Sequence, residues 1–98
     1  MIDKYPAVYI LTNQYKTVFY TGVTTNLLQR IYQHKMQMAD GFSKKYGLKV
    51  LVYFEMHEEI EAAIQREKRL KRWRRSWKIK LIEQQNPNWR DLYPLILG

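Results

Sequence analysis

Residues 7–35 read AVYILTNQYKTVFYTGVTTNLLQRIYQHK, and this stretch decides the fold. Two short runs rich in β-branched and aromatic residues, AVYIL (7–11) and VFYTG (18–22), flank the polar turn TNQYKT, which predicts an antiparallel hairpin. Next, VTTN offers Thr and Asn caps for a helix, LLQRIYQHKMQM (27–38), that has an apolar face and ends before Asp40. The stretch therefore predicts a hairpin followed by a helix that packs on it.

Each strand of the predicted hairpin carries a tyrosine. Tyr9 and Tyr20 are equidistant from the turn centre, which falls between Gln14 and Tyr15. In a symmetric hairpin the two tyrosines are directly opposed on one sheet face, with Cβ atoms roughly 5 Å apart. A slip of one residue would move them to opposite faces. A cross-strand aromatic pair that only stabilises the sheet is an equally good interpretation.

The predicted helix carries Arg30 and His34 one turn apart. They share a helix face near Leu27 and Ile31, which should lie on the sheet. Gly22 lets the chain leave the second strand sharply, so that the helix swings back across the hairpin and brings Arg30 within reach of the tyrosines. The alternative is a surface arginine whose stem covers apolar residues.

The rest of the chain alternates between strand and helix signals. KVLVYFE (49–55) predicts a third strand, whereas GFSKKYG (41–47) is typical of a loop. A long helical segment runs from about residue 58 to 85, with a bend or break near 73–76 where its apolar face shifts. The dipeptide Asn86-Pro87 ends it.

The order ββαβα with a hairpin predicts an α+β fold, in which a small three-stranded antiparallel sheet is flanked by helices. The apolar tail NWRDLYPLILG should pack back on the same domain, with a small dimer contact as the less favoured use. The length of 98 residues predicts a single domain, residues 1–98, and we expect a monomer. The chain has no cysteine, which excludes disulfides, thiolate zinc sites and a cysteine nucleophile. It also lacks a signal-peptide pattern and a P-loop, and we expect a soluble cytoplasmic protein.

The net charge of +8 comes from one segment. Residues 65–80, QREKRLKRWRRSWKIK, contain nine Lys or Arg and a single acid, whereas basic and acidic residues balance in the rest of the chain. This density predicts a nucleic-acid-binding surface in preference to a merely solvated face, with an anionic membrane as a minor alternative. The expected binding residues are Arg66, Lys68, Arg69, Lys71, Arg72, Arg74, Arg75 and Lys78. Trp73 and Trp77 are more typical of core residues than of a base-stacking platform.

The one acid of the basic segment is Glu67. On a helical wheel it falls among the apolar residues Ile60, Ala63, Ile64 and Leu70, where a carboxylate is costly unless it has a partner or a metal. A pair with a neighbouring arginine, or a helix rotated to expose the acid, would explain it. The functional interpretation is a single carboxylate ligand for Mg²⁺ or Mn²⁺, completed by substrate phosphate and water.

These residues together resemble the GIY-YIG endonuclease domain, which is named for tripeptides on two adjacent strands. The tripeptides here are Ala7-Val8-Tyr9 and Tyr20-Thr21-Gly22. Arg30, ten residues after Tyr20, matches the catalytic arginine of the family, and His34 matches a histidine that many members carry. Glu67 matches the metal-binding glutamate. The terminal asparagine is best matched by Asn86, with Asn88 as the alternative.

The resemblance covers nearly the whole chain and is greatest to the small stand-alone bacterial branch related to excinuclease C subunits. It implies a divalent-metal-dependent endonuclease acting on DNA, with DNA repair or recombination as its setting. Tyr9 would be the general base, Tyr20 would position water or phosphate, and Arg30 would bind the scissile phosphate. Nearby cations such as Arg30 would favour the phenolate of Tyr9 and lower its pKa. His34 would hydrogen-bond Tyr9 or a phosphate.

Glu67 would hold one Mg²⁺ or Mn²⁺, and Asn86 would fix local geometry. One departure matters, because excinuclease-type members often carry a lysine where this chain has Val23. Ala7, in place of the first glycine of the family, and the lack of a specificity domain are further departures. The main alternative is therefore a non-catalytic nucleic-acid-binding protein that retains the fold. A structural protein whose basic helix docks an acidic partner is a third possibility.

Overall fold

A computed structural model describes residues 5–37 and 41–97. Its strands β1 (Ala7–Thr12), β2 (Phe19–Thr24) and β3 (Val50–Met56) form an antiparallel sheet in the order β2-β1-β3. This confirms the predicted α+β fold. The helices are α1 (Leu27–Lys35), α2 (Phe42–Lys45), α3 (Ile60–Arg72), α4 (Arg75–Gln85) and α5 (Tyr93–Leu97).

Helices cover both faces of the sheet. On one face, Tyr9 and Leu11 pack with Leu27 and Ile31 of α1 and with Ile96 of α5. The opposite face is covered by α3 and α4, because Val8 packs with Ala63 and Leu70, and Ile10 packs with Ile82. The alternation of side chains along β1 thus divides the core into two layers.

The hairpin register differs from the symmetric one that we predicted. Tyr9 is paired with Gly22, and Tyr20 is paired with Leu11, so the two tyrosines share a face as diagonal neighbours and are not directly opposed. The turn is therefore centred between Tyr15 and Lys16. Asn13 explains the shift, because its side-chain oxygen accepts the Thr17 backbone N–H at 2.9 Å and its amide donates to the Thr17 hydroxyl at 2.8 Å.

The helix predictions were right in type but not in every boundary. Helix α1 begins after its Asn26 cap, which accepts the Gln29 N–H, and it ends at Lys35, while Met38 lies outside the described residues. The predicted break in the long helix is confirmed, with Trp73 and Arg74 in extended conformation between α3 and α4. The loop prediction for 41–47 was wrong, because α2 forms one helical turn there.

The tail packs back on the sheet as predicted and also covers its β3 edge. Leu92 and Ile96 are buried in the core. The Leu92 N–H donates to the Leu51 carbonyl at 2.7 Å, and Gln85 both accepts from the Phe54 N–H and donates to the Phe54 carbonyl. The tail and Gln85 thus satisfy backbone groups of Leu51 and Phe54 on the side of β3 that faces away from β1. In the part of the chain that the structure describes, no helix is long and apolar enough to cross a bilayer.

Candidate active site

Two tyrosines and a histidine meet on the sheet face covered by α1. The Tyr9 hydroxyl and His34 Nε2 are 3.0 Å apart and share a hydrogen bond. The ring centroid of His34 lies 5.7 Å from that of Tyr9 and 5.6 Å from that of Tyr20, and the two tyrosine centroids are 6.2 Å apart. The three rings therefore form a triangle, with Tyr9 buried and Tyr20 partly exposed.

Gly22 makes room for this arrangement. It lies inside β2 rather than at its exit, so the predicted sharp departure of the chain at Gly22 was wrong. A Cβ atom at this position would be 2.5 Å from both Cζ and the hydroxyl oxygen of Tyr9, and 2.9 Å from a ring carbon of Tyr20. The tip of the Tyr9 ring thus occupies the space that any other side chain would fill, which explains the glycine in the second tripeptide.

Ser43 completes a chain of hydrogen bonds through the histidine. Its hydroxyl lies 2.8 Å from His34 Nδ1, and both residues are buried. Sequence reasoning missed Ser43 because it assigned this segment to a loop and sought chemistry only among the charged and aromatic residues. On the same short helix α2, Phe42 stacks on Tyr20 with centroids 6.4 Å apart. Helix α2 therefore contacts two of the three rings, His34 through Ser43 and Tyr20 through Phe42.

Arg30 lies beside the ring triangle. Its Nη1 donates to Gln33 Oε1 at 3.1 Å, and its side chain is partly exposed. The guanidinium lies close enough to Tyr9 and Tyr20 to interact with both, and the proximity of the Tyr9 hydroxyl is the main reason that the pKa of Arg30 is raised. A partly exposed arginine beside two phenols can receive an anion from solvent.

Burial controls the protonation of the site. It raises the pKa of Tyr9 to about 12, and the opposing influence of Arg30 does not compensate. The prediction that Arg30 lowers this pKa below its usual value was therefore wrong in its net direction. Burial, and next the charge of Arg30, lower the pKa of His34 to about 4. Near neutral pH the phenol of Tyr9 is protonated and His34 is neutral, so the imidazole can accept a hydrogen bond from the phenol.

Glu67, the predicted metal ligand, lies in the helical layer on the other side of the sheet from the ring triangle. It lies on α3, which packs on the face opposite Tyr9, and its carboxylate accepts from Lys71 Nζ at 2.9 Å. The partner is thus a lysine one turn away, where we had considered an arginine. The side chain of Glu67 is only 12% exposed, whereas that of Lys71 is 52% exposed. Helix α3 contacts both β2 and β1, and β2 is an edge strand of the sheet.

Asn86 lies outside the ring triangle, and its side chain forms hydrogen bonds with backbone groups of β3 and of the tail. Its amide donates to the Val52 carbonyl at 3.1 Å and to the Arg90 carbonyl at 2.8 Å, and its oxygen accepts the Arg90 N–H. Val52 is the residue that is skipped where the register between β1 and β3 shifts. Asn86 therefore binds the carbonyl at the irregularity of β3 and ties the tail to the sheet.

The residues of the basic segment differ in their surroundings. Arg66 Nε donates to both carboxylate oxygens of Glu55 at 3.1 and 3.2 Å, and the Arg75 guanidinium covers the Phe19 ring at 4.4 Å. Lys78 is partly buried, and this burial, followed by the charges of Arg75 and Lys71, lowers its pKa. The other predicted binding residues lie on the surface: Lys68, Arg69, Lys71, Arg72 and Arg74.

Comparison with known proteins supports one family. The model of the GIY-YIG catalytic domain matches residues 5–80. This range includes Tyr9, Tyr20, Arg30, His34 and Glu67 and ends before Asn86.

The relatives are small proteins of similar length. A UPF0213 protein of Syntrophus aciditrophicus is 36% identical over 88 residues, which cover 82% of this chain and 91% of the relative. A UPF0213 protein of Staphylococcus haemolyticus is 38% identical over 65 residues, or 66% of this chain and 79% of the relative. The solution NMR structure of a UPF0213 protein from Bacillus halodurans is similar, with a TM-score of 0.57, 26% identity, and coverage of 88% of this chain and 90% of that one.

Proposed function

The chain belongs to the GIY-YIG catalytic domain family, and on that basis we propose that it hydrolyses phosphodiester bonds of nucleic acid, with DNA as the preferred substrate and a divalent metal as cofactor. The observation that carries this proposal is the hydrogen bond between Tyr9 and His34, beside Tyr20 and the partly exposed Arg30. A base, a water-positioning group and a phosphate-binding cation are what hydrolysis of a phosphodiester requires.

Tyr9 acts as the base through His34. Because the phenol is protonated near neutral pH, it takes the proton of the attacking water as its own proton passes to Nε2 of His34. The water oxygen forms a bond to phosphorus, the bond to the leaving oxygen breaks, and the leaving oxygen takes a proton from solvent. Ser43 accepts from Nδ1–H of the resulting imidazolium and holds the ring in the orientation that points Nε2 at Tyr9. The imidazolium of His34, whose pKa is low, returns its proton to solvent, which restores the neutral ring.

Arg30 binds the scissile phosphate. Its guanidinium offers donors in a planar fork that matches two phosphate oxygens, and it stabilises the negative charge that builds up as water attacks. Tyr20, which is more exposed than Tyr9, contacts the same phosphate or the attacking water. Stacking of Tyr20 on Phe42 limits the positions that its hydroxyl can take.

The residues present fit a metal that the substrate helps to hold. Among the described residues, no group of three or more His, Cys, Asp or Glu could enclose a metal ion. A single oxygen ligand such as Glu67 suits Mg²⁺ or Mn²⁺ when phosphate oxygens and water fill the remaining positions. Lys71 is exposed enough to release the carboxylate on metal binding. Such an ion would stabilise charge on the leaving oxygen.

The proposal is tested by incubating the protein with Mg²⁺ or Mn²⁺ and a panel of labelled single-stranded, duplex and branched DNAs and an RNA. We expect cleavage of at least one substrate. Tyr9→Phe, which keeps the ring but removes the hydroxyl, should lower the rate by about 10² to 10⁴. Arg30→Ala should lower it by about 10² to 10³.

Control variants separate a loss of catalysis from a loss of folding or of overall charge. Glu67→Gln should abolish metal-dependent cleavage, whereas Glu61→Gln, an exposed acid on the same helix, should retain it. Arg90→Ala is the corresponding control for Arg30. Full activity of both Tyr9→Phe and Arg30→Ala would refute the assignment. Binding in EDTA without cleavage of any substrate would instead support the non-catalytic alternative.

A further inference from the structure

Two tryptophans, Trp73 and Trp77, lie in contact at the junction of α3 and α4. Trp73 is partly buried against the cluster formed by Val8, Ala63 and Leu70, but the side chain of Trp77 is 49% exposed. The two indole rings meet edge to face, with centroids 6.0 Å apart and planes at 86°. The prediction that both tryptophans belong to the core was therefore wrong for Trp77, which places a large aromatic surface in contact with solvent.

A small cavity opens beside these rings. Its volume is about 200 Å³, and it is lined by Trp73, Trp77, Lys80, Leu81 and Gln84. Sites for drug-sized ligands usually have volumes of about 300 to 1,000 Å³, so this cavity suits a single flat ring system. Its walls are aromatic and aliphatic, whereas Lys80 and Gln84 can supply hydrogen-bond donors and an acceptor. Such a lining suits a planar group with polar edges.

The positive charge around the cavity indicates that the planar group would be part of a polyanion. The cavity lies within and beside the basic segment, residues 65–80. The Arg74 guanidinium lies 5.5 Å from the centroid of Trp77, and that of Arg66 lies 5.3 Å from the centroid of Trp73. Arg66 is already paired with Glu55, but Arg74 lies at the exposed surface. An aromatic ring carried on a polyanion matches both the cavity and Arg74, whereas a neutral apolar peptide would bring no counter-charge to Arg74.

We propose that this cavity takes one unpaired nucleobase of a nucleic acid strand. The base stacks on the indole of Trp77, Gln84 and Lys80 contact its polar edge, and Arg74 contacts a neighbouring phosphate. A base inside a duplex is stacked on both faces and cannot enter, so the cavity favours single-stranded or locally unpaired regions. This inference rests on the proposed function to the extent that the protein must bind nucleic acid.

The test is a binding titration of the full chain in EDTA, which removes metal-dependent cleavage from the measurement. The probes are a labelled oligothymidine of about 16 nucleotides, a duplex of equal length, and an abasic strand with the same phosphates. Trp77→Ala should weaken binding of oligothymidine about tenfold or more and change duplex binding little. Tyr15→Ala, which removes an exposed tyrosine from the hairpin loop, should change neither.

Two further readouts show that stacking is the cause. Oligothymidine should quench the tryptophan fluorescence of the wild type and quench that of Trp77→Ala much less. The abasic strand should bind the wild type no better than it binds Trp77→Ala. Because Trp77 is exposed, its replacement should leave the thermal midpoint nearly unchanged, so that a loss of binding is not a loss of folding.

The outcomes separate this inference from the proposed function. Equal affinity of Trp77→Ala and wild type for oligothymidine would overturn the inference alone, and so would an equal loss on the single strand and the duplex. A wild type that stacks oligothymidine on Trp77 but cleaves no substrate with Mn²⁺ would refute the endonuclease and leave the inference standing. A wild type that binds none of the probes would refute the inference directly.

Discussion

At the scale of single residues, His34 links the stability of the fold to the proposed chemistry. Its side chain is 3% exposed and contacts two hydroxyl groups, those of Tyr9 and Ser43. The environment that keeps the imidazole neutral also makes it expensive to protonate in the folded state. The same burial that keeps His34 neutral beside the Tyr9 hydroxyl therefore makes the fold sensitive to acid.

We expect the stability of the protein to fall between pH 6.5 and 4 in part because of His34. Above pH 6.5 the residue is neutral in both states and its contribution to stability is complete. As the pH falls toward about 4, the unfolded chain binds a proton that the folded chain does not, so the free energy of unfolding decreases. The full effect is at most about 3 kcal/mol. Urea unfolding at several pH values measures it.

His34→Gln is the comparison for this prediction, because glutamine does not titrate and the carboxylates of both proteins titrate alike. The variant should lose less stability than the wild type over the same pH range. In NMR, the ring protons of His34 should titrate with a midpoint near 4. A midpoint near the ordinary value, or an identical pH dependence in both proteins, would contradict the assigned burial effect.

The residues of the ring triangle were predictable from the sequence, but their contacts were not. Spacing alone placed both tyrosines on one face and put Arg30 and His34 on one side of a helix. The register of the hairpin depends on how the side chain of Asn13 closes the turn. As a result, Tyr9 lies opposite Gly22 and packs over it, whereas a symmetric hairpin would have placed Tyr9 opposite Tyr20. Ser43 could not be found, because a serine has no distinctive pattern and its segment was assigned to a loop.

At the scale of elements, the covered edge of β3 explains the position of Asn86. The register between β1 and β3 shifts at Val52, and the Asn86 amide, at the end of α4, donates to the Val52 carbonyl. Asp91 accepts the Leu51 N–H at 3.2 Å in the same region. The end of α4 and the tail together thus act as a substitute for a fourth strand.

Asn86→Ala should therefore destabilise the fold without a specific effect on catalysis. It removes hydrogen bonds to two carbonyls and one N–H in a buried position, and we expect a loss of about 1 to 3 kcal/mol in the free energy of unfolding. Chemical denaturation measures this loss. Asn88→Ala, at an exposed position nearby, should lie within about 0.5 kcal/mol of the wild type. An Asn86→Ala protein that is fully stable but inactive would assign a catalytic role instead.

The elements themselves were largely predictable, since strands and long helices have strong periodic signals. The break between α3 and α4 was visible as a shift of the apolar face. The short helix α2 was missed because one turn is too short to show a period, and Phe42 and Ser43 are held there by contacts with Tyr20 and His34. The bulge in β3 depends on the tail, which is distant in sequence.

At the scale of the whole molecule, positive charge is concentrated on one pair of helices. The sequence predicts this asymmetry completely, because it needs only a count of residues along the chain. What the count cannot show is which cations have partners. Arg66 is held by Glu55, which lies on β3, and this pairing depends on the folded sheet. The outer face of α3, which carries Lys68, Arg69 and Arg72, remains exposed to solvent.

We expect nucleic acid binding to depend steeply on salt and to divide these cations into two groups. If about four phosphates are contacted, a plot of log K against log[salt] for duplex DNA should have a slope of about −4. Arg72→Gln should reduce the slope by about one and leave stability unchanged. Arg66→Gln should change the slope little but lower the free energy of unfolding, because it leaves the half-buried Glu55 without its arginine. Titrations at several salt concentrations and urea unfolding of both variants test this division. A flat salt dependence, or the same change of slope and stability in the two variants, would contradict it.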